Sequence, residues 1–263
     1  MATTDQELIA AARAGDTRAM EQLLGKYEAR VYRFGLRMCG NEDDARDILQ
    51  ETLLAAFKGL ASFRGDSQVS TWLFQVARSF CIKHHRRREG EPAKFEELDQ
   101  KSAQRVAIDT SQPDSRTHAR QVGEVIEAAM RTLSDDYREA LVLRDVEGLS
   151  AEEAAEVAGI EVGALKSRLH RARMQLKQSL SAVLDDEQGE IGCPDLQAEL
   201  SAYASSDIDQ AACERIEKHL ASCSQCTAAC ESLKRTVSMC RALPGGDVPA
   251  SVKAAVRHAL RFN

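Results

Sequence analysis

Cys193, His219, Cys223 and Cys226 have the types and spacing of a metal site, written C-x25-H-x3-C-x2-C. His219 and Cys223 stand one helical turn apart, so both can face one ion, and Cys226 closes the turn. Three thiolates and an imidazole suit tetrahedral zinc, one ion per chain. Of the eight cysteines, six follow residue 190; in a chain without secretory features this favours metal or redox chemistry over structural disulfides. A disulfide or unrelated thiols is the competing reading, but so small a module lacks the core to fold without a staple. Four saturating ligands also speak against a zinc enzyme, which needs an open metal position. Cys213, Cys230 and Cys240 are either exchanging or resolving thiols or packing residues, and Cys39 and Cys81 read as packing.

A second chemistry lies in Asp145 to Lys177. Ser150 with Glu153 three residues on is a capping-box start, and Ala154 and Val157 give that helix an apolar face before Ala158-Gly159-Ile160 turns the chain. The next helix begins near Val162, with Val162, Leu165, Leu169, Ala172 and Leu176 on one side. Lys166, Ser167, His170, Arg171, Arg173 and Lys177 are left for the other faces. The chain as a whole carries net charge -6, yet Glu161 to Lys177 holds five Lys/Arg against one Glu. Focused positive charge on a helix-turn-helix suits the major groove and its phosphates, although a basic amphipathic helix can be only a solvated face.

The elements that position these residues are helical. Apolar content of 43% with 5% aromatics and five prolines favours an all-α protein. The sequence divides into a helical module at 5–90, a linker at 91–116, the helix-turn-helix module at 117–184, the zinc module at 190–240 and a tail helix at 241–263. Glu89 to Arg116 has the weak periodicity and mixed charge of a flexible linker. No apolar run of 18 residues exists and the N-terminus lacks the order of a signal peptide, so a cytoplasmic protein without a membrane anchor is expected. The tail beyond Pro249 is amphipathic through Val252, Ala255, Val256, Ala259 and Leu260; it either docks on the other modules or frays.

In the first module Glu42 to Leu60 has an apolar stripe of Ile48, Leu49, Leu53, Ala56 and Phe57. Asp44, Asp47 and Glu51, with Gln50 beside them, line another side as a solvated face or a surface for a basic partner. In Ser70 to Arg88, Trp72, Leu73, Val76, Phe80 and Ile82 supply a core face, while Arg78, Lys83, Arg86, Arg87 and Arg88 are basic without a balancing acid. Aromatics interleaved with cations suit single-stranded nucleic acid; a lone Trp72 equally suits a core.

The order DARDILQETLLAAFKGL, then STWLFQVAR, a linker, and YREALVLRDVEGLSAEEAAEVAGIEVGALKSRLHRAR resembles an extracytoplasmic-function (ECF) sigma factor of the sigma-70 family, over roughly residues 5 to 181. The resemblance implies that Asp44, Asp47, Gln50 and Glu51 bind the RNA polymerase core. It implies that Phe63, Ser70, Trp72, Arg78, Lys83, Arg86 and Arg87 serve the promoter -10 element, with the Gly59 to Ser70 loop taking a flipped base. Lys166, Ser167, Arg168, His170 and Arg171 would serve the -35 element, Arg168 with Arg173 through phosphate or structure. Ser79 and Lys83 depart from an Asn and an acid common in such proteins, and Glu161 replaces a usual Ser or Thr cap. CPDLQAELSAYASSDIDQAACERIEKHLASCSQC resembles the zinc-binding anti-sigma domain, over about 191 to 240. Together they imply a sigma factor acting with polymerase and promoter DNA, itself no enzyme, in transcription regulation of the stress-response kind. A metal- or redox-responsive domain would regulate it in cis by contact with the sigma domains. The alternative is a conventional metal- or redox-sensing helix-turn-helix regulator.

Overall fold

The computed structural model describes residues 4–60, 63, 65, 67–90, 115–184, 193–243, 248–250 and 252–254, and every regular element among them is helical. No helix among the described residues is long and apolar enough to cross a membrane. Positions 91–114 of the expected linker lie outside them. The chain forms two compact units, one built on residues 1–94 with 245–263 and the other on most of 95–244.

The first unit contains α1 (Asp5–Arg13), α2 (Thr17–Cys39), α3 (Glu42–Gly59) and α4 (Val69–Gly90). The starts of α1, α2 and α3 are written in short polar side chains. Asp16 accepts from the amides of Arg18 and Ala19 to start α2, and Asn41 accepts from the Asp44 amide to start α3. Glu42, Asp43 and Asp44 then place negative charge at the positive end of the α3 dipole. Phe34, Ile48, Leu49, Leu53, Leu73 and Phe74 fill the interior, with the Phe34 and Phe74 rings edge to face at 5.4 Å. Gly35 permits a tight crossing of α2 and α3, since a Cβ there would lie 3.3 Å from the Ala45 Cα.

The expected core face of α4 needs correction. Leu73 is buried, but Trp72, Val76, Phe80 and Ile82 are only half-buried; the buried row is Val69, Leu73, Ala77 and Cys81, with Phe74 beside it. Two apolar rows share this helix, which packs against α2 and α3, and the fully buried row is the one that holds the small residues Ala77 and Cys81. The large aromatics occupy the margin. Cys81 is a packing residue, as its sequence setting suggested. In the tail Val248 and Val252 are buried, whereas Ala255, Val256, Ala259 and Leu260 lie outside the described residues.

The second unit contains α5 (Ser115–Arg131), α6 (Asp135–Leu141), a π-helical turn (Val142–Val146), most of α7 (Ala151–Ala158) and α8 (Val162–Leu184). A 3-10 turn (Pro194–Leu196), α9 (Gln197–Ala204), α10 (Gln210–Leu220) and α11 (Ser224–Arg241) follow. α5 begins at Ser115, within the segment read as linker. After Leu141 the helix widens into a π-helical turn, where the Glu147 amide bonds back to the Val142 carbonyl at 2.9 Å. The wide turn buries two consecutive charged residues, Arg144 and Asp145, which ordinary helical spacing would point apart.

The Ser150–Glu153 capping box is present in both directions, at 3.1 and 2.8 Å. Gly159 ends α7 at φ +65, which lets the Ile160 amide close back on the Ala155 carbonyl. Leu165, Leu169, Ala172, Leu176 and Leu180 form the buried stripe of α8, with Val162 half-buried at its start. A second core comprises Leu200, Ile216, Cys226, Cys230 and Leu233, and Met174 of α8 packs against it. The cysteine-bearing helices therefore complete their core on the helix-turn-helix itself.

Candidate functional site

Cys193 precedes the 3-10 turn, His219 lies in the last turn of α10, and Cys223 and Cys226 open α11. These segments bring three sulfurs and one ring nitrogen within 4.8 Å of one another. Tetrahedral zinc ligands at about 2.3 Å from the ion stand about 3.8 Å apart, so the quartet needs little contraction to hold one. The His219 ring nitrogen already lies 3.2 Å from the Cys226 sulfur. Behind the sulfurs, the Cys223 amide bonds to the His219 carbonyl at 3.0 Å, and Thr227 Oγ1 donates to the Leu220 and Cys223 carbonyls. Burial pushes the Cys226 thiol up to about 12, reinforced by hydrogen bonds with Cys223 and Cys193. Hydrogen bonds from the Cys226 backbone and thiol hold Cys223 below the ordinary thiol range. Crowded sulfurs that resist joint ionisation are the setting a divalent cation reverses. Cys230 and Cys240 are buried, and Cys213 on α10 faces Glu217, its sulfur 3.6 Å from the carboxylate.

The helices of this module cover part of α8. Arg173, 1% exposed, grips Asp145 through Nε at 2.7 Å and Nη2 at 2.5 Å, and its Nη1 donates to the Ser201 carbonyl and hydroxyl. Arg144 reaches Asp207 with Nε at 2.8 Å and Nη2 at 2.6 Å. Lys166 Nζ donates to the Asp207 carbonyl at 2.9 Å. Thus two helix-turn-helix cations meet one loop of the cysteine module.

The remaining expected -35 residues lie along α8. Ser167 Oγ donates to the Gly163 carbonyl, Arg168 pairs with Asp136 at 3.1 Å, and exposed Arg171 reaches the Tyr137 hydroxyl. His170 is half-buried, and burial first, then Arg173 and Arg171, lowers its pKa.

In the first unit Asp44, Asp47, Gln50 and Glu51 share α3, with Asp47 and Gln50 exposed. His84 of α4 stands 3.9 Å from Asp44 and 3.6 Å from Glu51, a pairing that no spacing in the chain announces. Of the expected -10 residues, Phe63 is buried against half-buried Trp72, ring centroids 4.9 Å apart. Ser70 and Arg78 are half-buried, Lys83 and Arg86 are exposed, and Lys83 lies over the Phe80 ring. The Arg87 and Arg88 side chains lie outside the described residues.

Arg144, Met174, Ser201 and Asp207 were not singled out by sequence reading. Their partners are distant in sequence; the only local signal was an acid in the serine-rich turn SSDID ahead of α10.

Comparison with known proteins follows the same order along the chain. Residues 23–91 match the sigma-70 region 2 family, residues 123–176 the sigma-70 region 4 family, and residues 193–227 a zinc-finger family. The chain is 29% identical over 184 residues to the RNA polymerase sigma-H factor of Pseudomonas aeruginosa, covering 68% of this chain and 95% of that one. It is 28% identical over 185 residues to the ECF RNA polymerase sigma-E factor of Escherichia coli, covering 69% of this chain and 96% of the relative. Among solved structures, CnrH in complex with the cytosolic domain of CnrY is matched at 26% identity and TM-score 0.49, covering 70% of this chain and 99% of that chain. With region 2, region 4 and a zinc-finger domain in succession, and sigma-factor relatives matched over nearly their whole length, the chain belongs to the sigma-70 family as an ECF sigma factor carrying a fused zinc-finger domain.

Proposed function

We propose that this chain directs RNA polymerase to a two-part promoter in the cytoplasm and that its zinc-binding module restrains it in cis, in response to metal or oxidant. The observation that carries the regulatory part is the packing of Met174, Arg173 and Lys166 of α8 against the cysteine module. In this reading Asp47 and Gln50, with Asp44 and Glu51 held beside His84, dock on the polymerase core. The Phe63–Trp72 pair, with Ser70, Arg78, Lys83, Arg86 and Arg87, serves the -10 element. Lys166, Ser167, Arg168, His170 and Arg171 serve the -35 element. Cys193, His219, Cys223 and Cys226 hold one zinc, which ties the 3-10 turn to the end of α10 and the start of α11. Zinc here supplies cross-linking of three short helical ends that could not bury enough surface alone. A conventional DNA-binding regulator would have no use for the exposed acids of α3.

Purified chain added to core polymerase on a cognate promoter tests this directly. Specific transcripts are expected, and more of them when Cys223→Ser removes the zinc. Duplex binding without initiation would end the sigma reading; equal transcription with and without the intact quartet would end the regulatory one.

A further inference from the structure

Asp207 meets two cations, Arg144 and Lys166. Its carboxylate receives the two parallel donors of the Arg144 fork, the geometry with which guanidinium grips carboxylates and phosphates alike. Arg144 also donates to the Ser205 carbonyl at 3.0 Å. From the other side Lys166 reaches the Asp207 carbonyl oxygen. Arg144 and Asp207 are almost withdrawn from water, with side chains 11% and 10% exposed.

The loop is built to present this acid. Ser206, immediately before it, adopts the left-handed conformation at φ +60, which is strained for a residue with a Cβ. Ser205 Oγ donates to the Asp207 carboxylate at 2.8 Å, and the Asp207 amide bonds back to the Ala202 carbonyl. A cleft of about 310 Å³ lies alongside, lined in part by Lys166, Ser167, Arg173 and Arg215.

The two cations bracket the helix-turn-helix, Arg144 just before its first helix and Lys166 on its second. Such flanking positions hold the DNA backbone and set the register of the groove-reading helix. We propose that Arg144 and Lys166 form a binding site for one backbone phosphate of duplex DNA, and that Asp207 occupies it as an internal substitute. The proposal rests on the sigma-factor reading and adds Arg144, with a named competitor, to its DNA surface. Being tethered, Asp207 competes at an effective concentration in the millimolar range, enough to hold the site against weak duplex binding.

The test uses the full-length zinc-loaded chain and a fluorescent 30-base-pair duplex in a series of KCl concentrations. Asp207→Asn is expected to tighten binding about tenfold. Adding Arg144→Gln should return most of that gain and flatten the slope of log K against log[KCl] by about 0.9, the value of one phosphate contact. Binding of Asp207→Asn equal to wild type overturns the proposal, as does an Arg144→Gln change without effect in that background. Inorganic phosphate titrated at constant ionic strength forms a separate arm. Saturable binding of phosphate to Asp207→Asn with no gain for the duplex assigns the site to a free anion and also overturns the proposal. Zinc content monitors folding. If Asp207→Asn loses metal, Ser205→Ala, which removes the hydroxyl that donates to the carboxylate, should tighten duplex binding two- to threefold, and no change there refutes the idea. Initiation with core polymerase separates the two readings: a wild-type chain that initiates while Asp207→Asn leaves duplex binding unchanged loses only the phosphate site.

Discussion

Arg173 offers the sharpest test of how the second unit is held together. It stands on the basic helix, where spacing alone would offer it to DNA, yet it is 1% exposed and paired with fully buried Asp145. Arg173→Met keeps much of the volume but strands the Asp145 carboxylate without its partner and removes the donors to Ser201. Breaking a buried pair from one side costs about 3–5 kcal/mol, a large share of the ~5–15 kcal/mol that holds a domain folded. At about 2–4 °C per kcal/mol for a unit of this size, the midpoint should fall by roughly 10 °C. Thermal unfolding of the zinc-loaded chain by circular dichroism reads the loss. Asp145→Asn combined with Arg173→Met should lose less than the sum of the two single changes, with coupling of about 2 kcal/mol. If Arg173→Met instead costs under ~1 kcal/mol while duplex affinity drops, Arg173 belongs to the DNA and the buried pairing is wrong.

Cys223→Ser should reduce bound zinc from about one per chain to near none by elemental analysis; full metal content in that variant removes Cys223 from the ligand set. For His170 the lowered folded-state pKa means that the unfolded chain takes up a proton that the folded chain refuses. Stability should therefore fall as pH drops through about 6.5, and His170→Gln should shrink that fall in parallel urea titrations; identical pH profiles would refute it. Gly35→Ala gains helix propensity of about 1 kcal/mol but drives a methyl into the backbone of α3, so a net loss near 1 kcal/mol is expected by urea midpoint, and a stabilised variant would contradict the crossing. Asp47→Arg, on an exposed position of α3, should weaken core polymerase binding at least tenfold with unchanged melting; unaltered binding would place the docking face elsewhere.

What could be read from the chain is what neighbours in sequence decide. The Ser150–Glu153 cap, the turn at Gly159 and the Leu165–Leu169–Ala172–Leu176 stripe follow from three- and four-residue spacing, and His219, Cys223 and Cys226 lie close enough in the chain to predict their meeting. On α4 the same periodicity offers two rows, one through Trp72, Val76 and Phe80 and one through Leu73, Ala77 and Cys81, and spacing does not choose between them. Packing buried the row with the smaller side chains. The π-helical turn was hidden because its reason is tertiary: it sends Arg144 to Asp207, 63 residues on, and Asp145 to Arg173, 28 residues on. Lys166 looked like a free cation for the same cause, its partner carbonyl standing 41 residues away.

Met174 belongs to two structures at once, a turn of the DNA-reading helix and the edge of the core that Leu200, Ile216 and Leu233 complete. The ribosome makes α8 before it makes α9 to α11. At roughly 5–20 residues per second, the roughly sixty residues separating the end of α8 from the end of α11 take several seconds to emerge. Each newly made chain thus passes through an interval in which its reading helix exists and its cover does not. The restraint proposed above would be acquired with age, once α11 has closed over Met174.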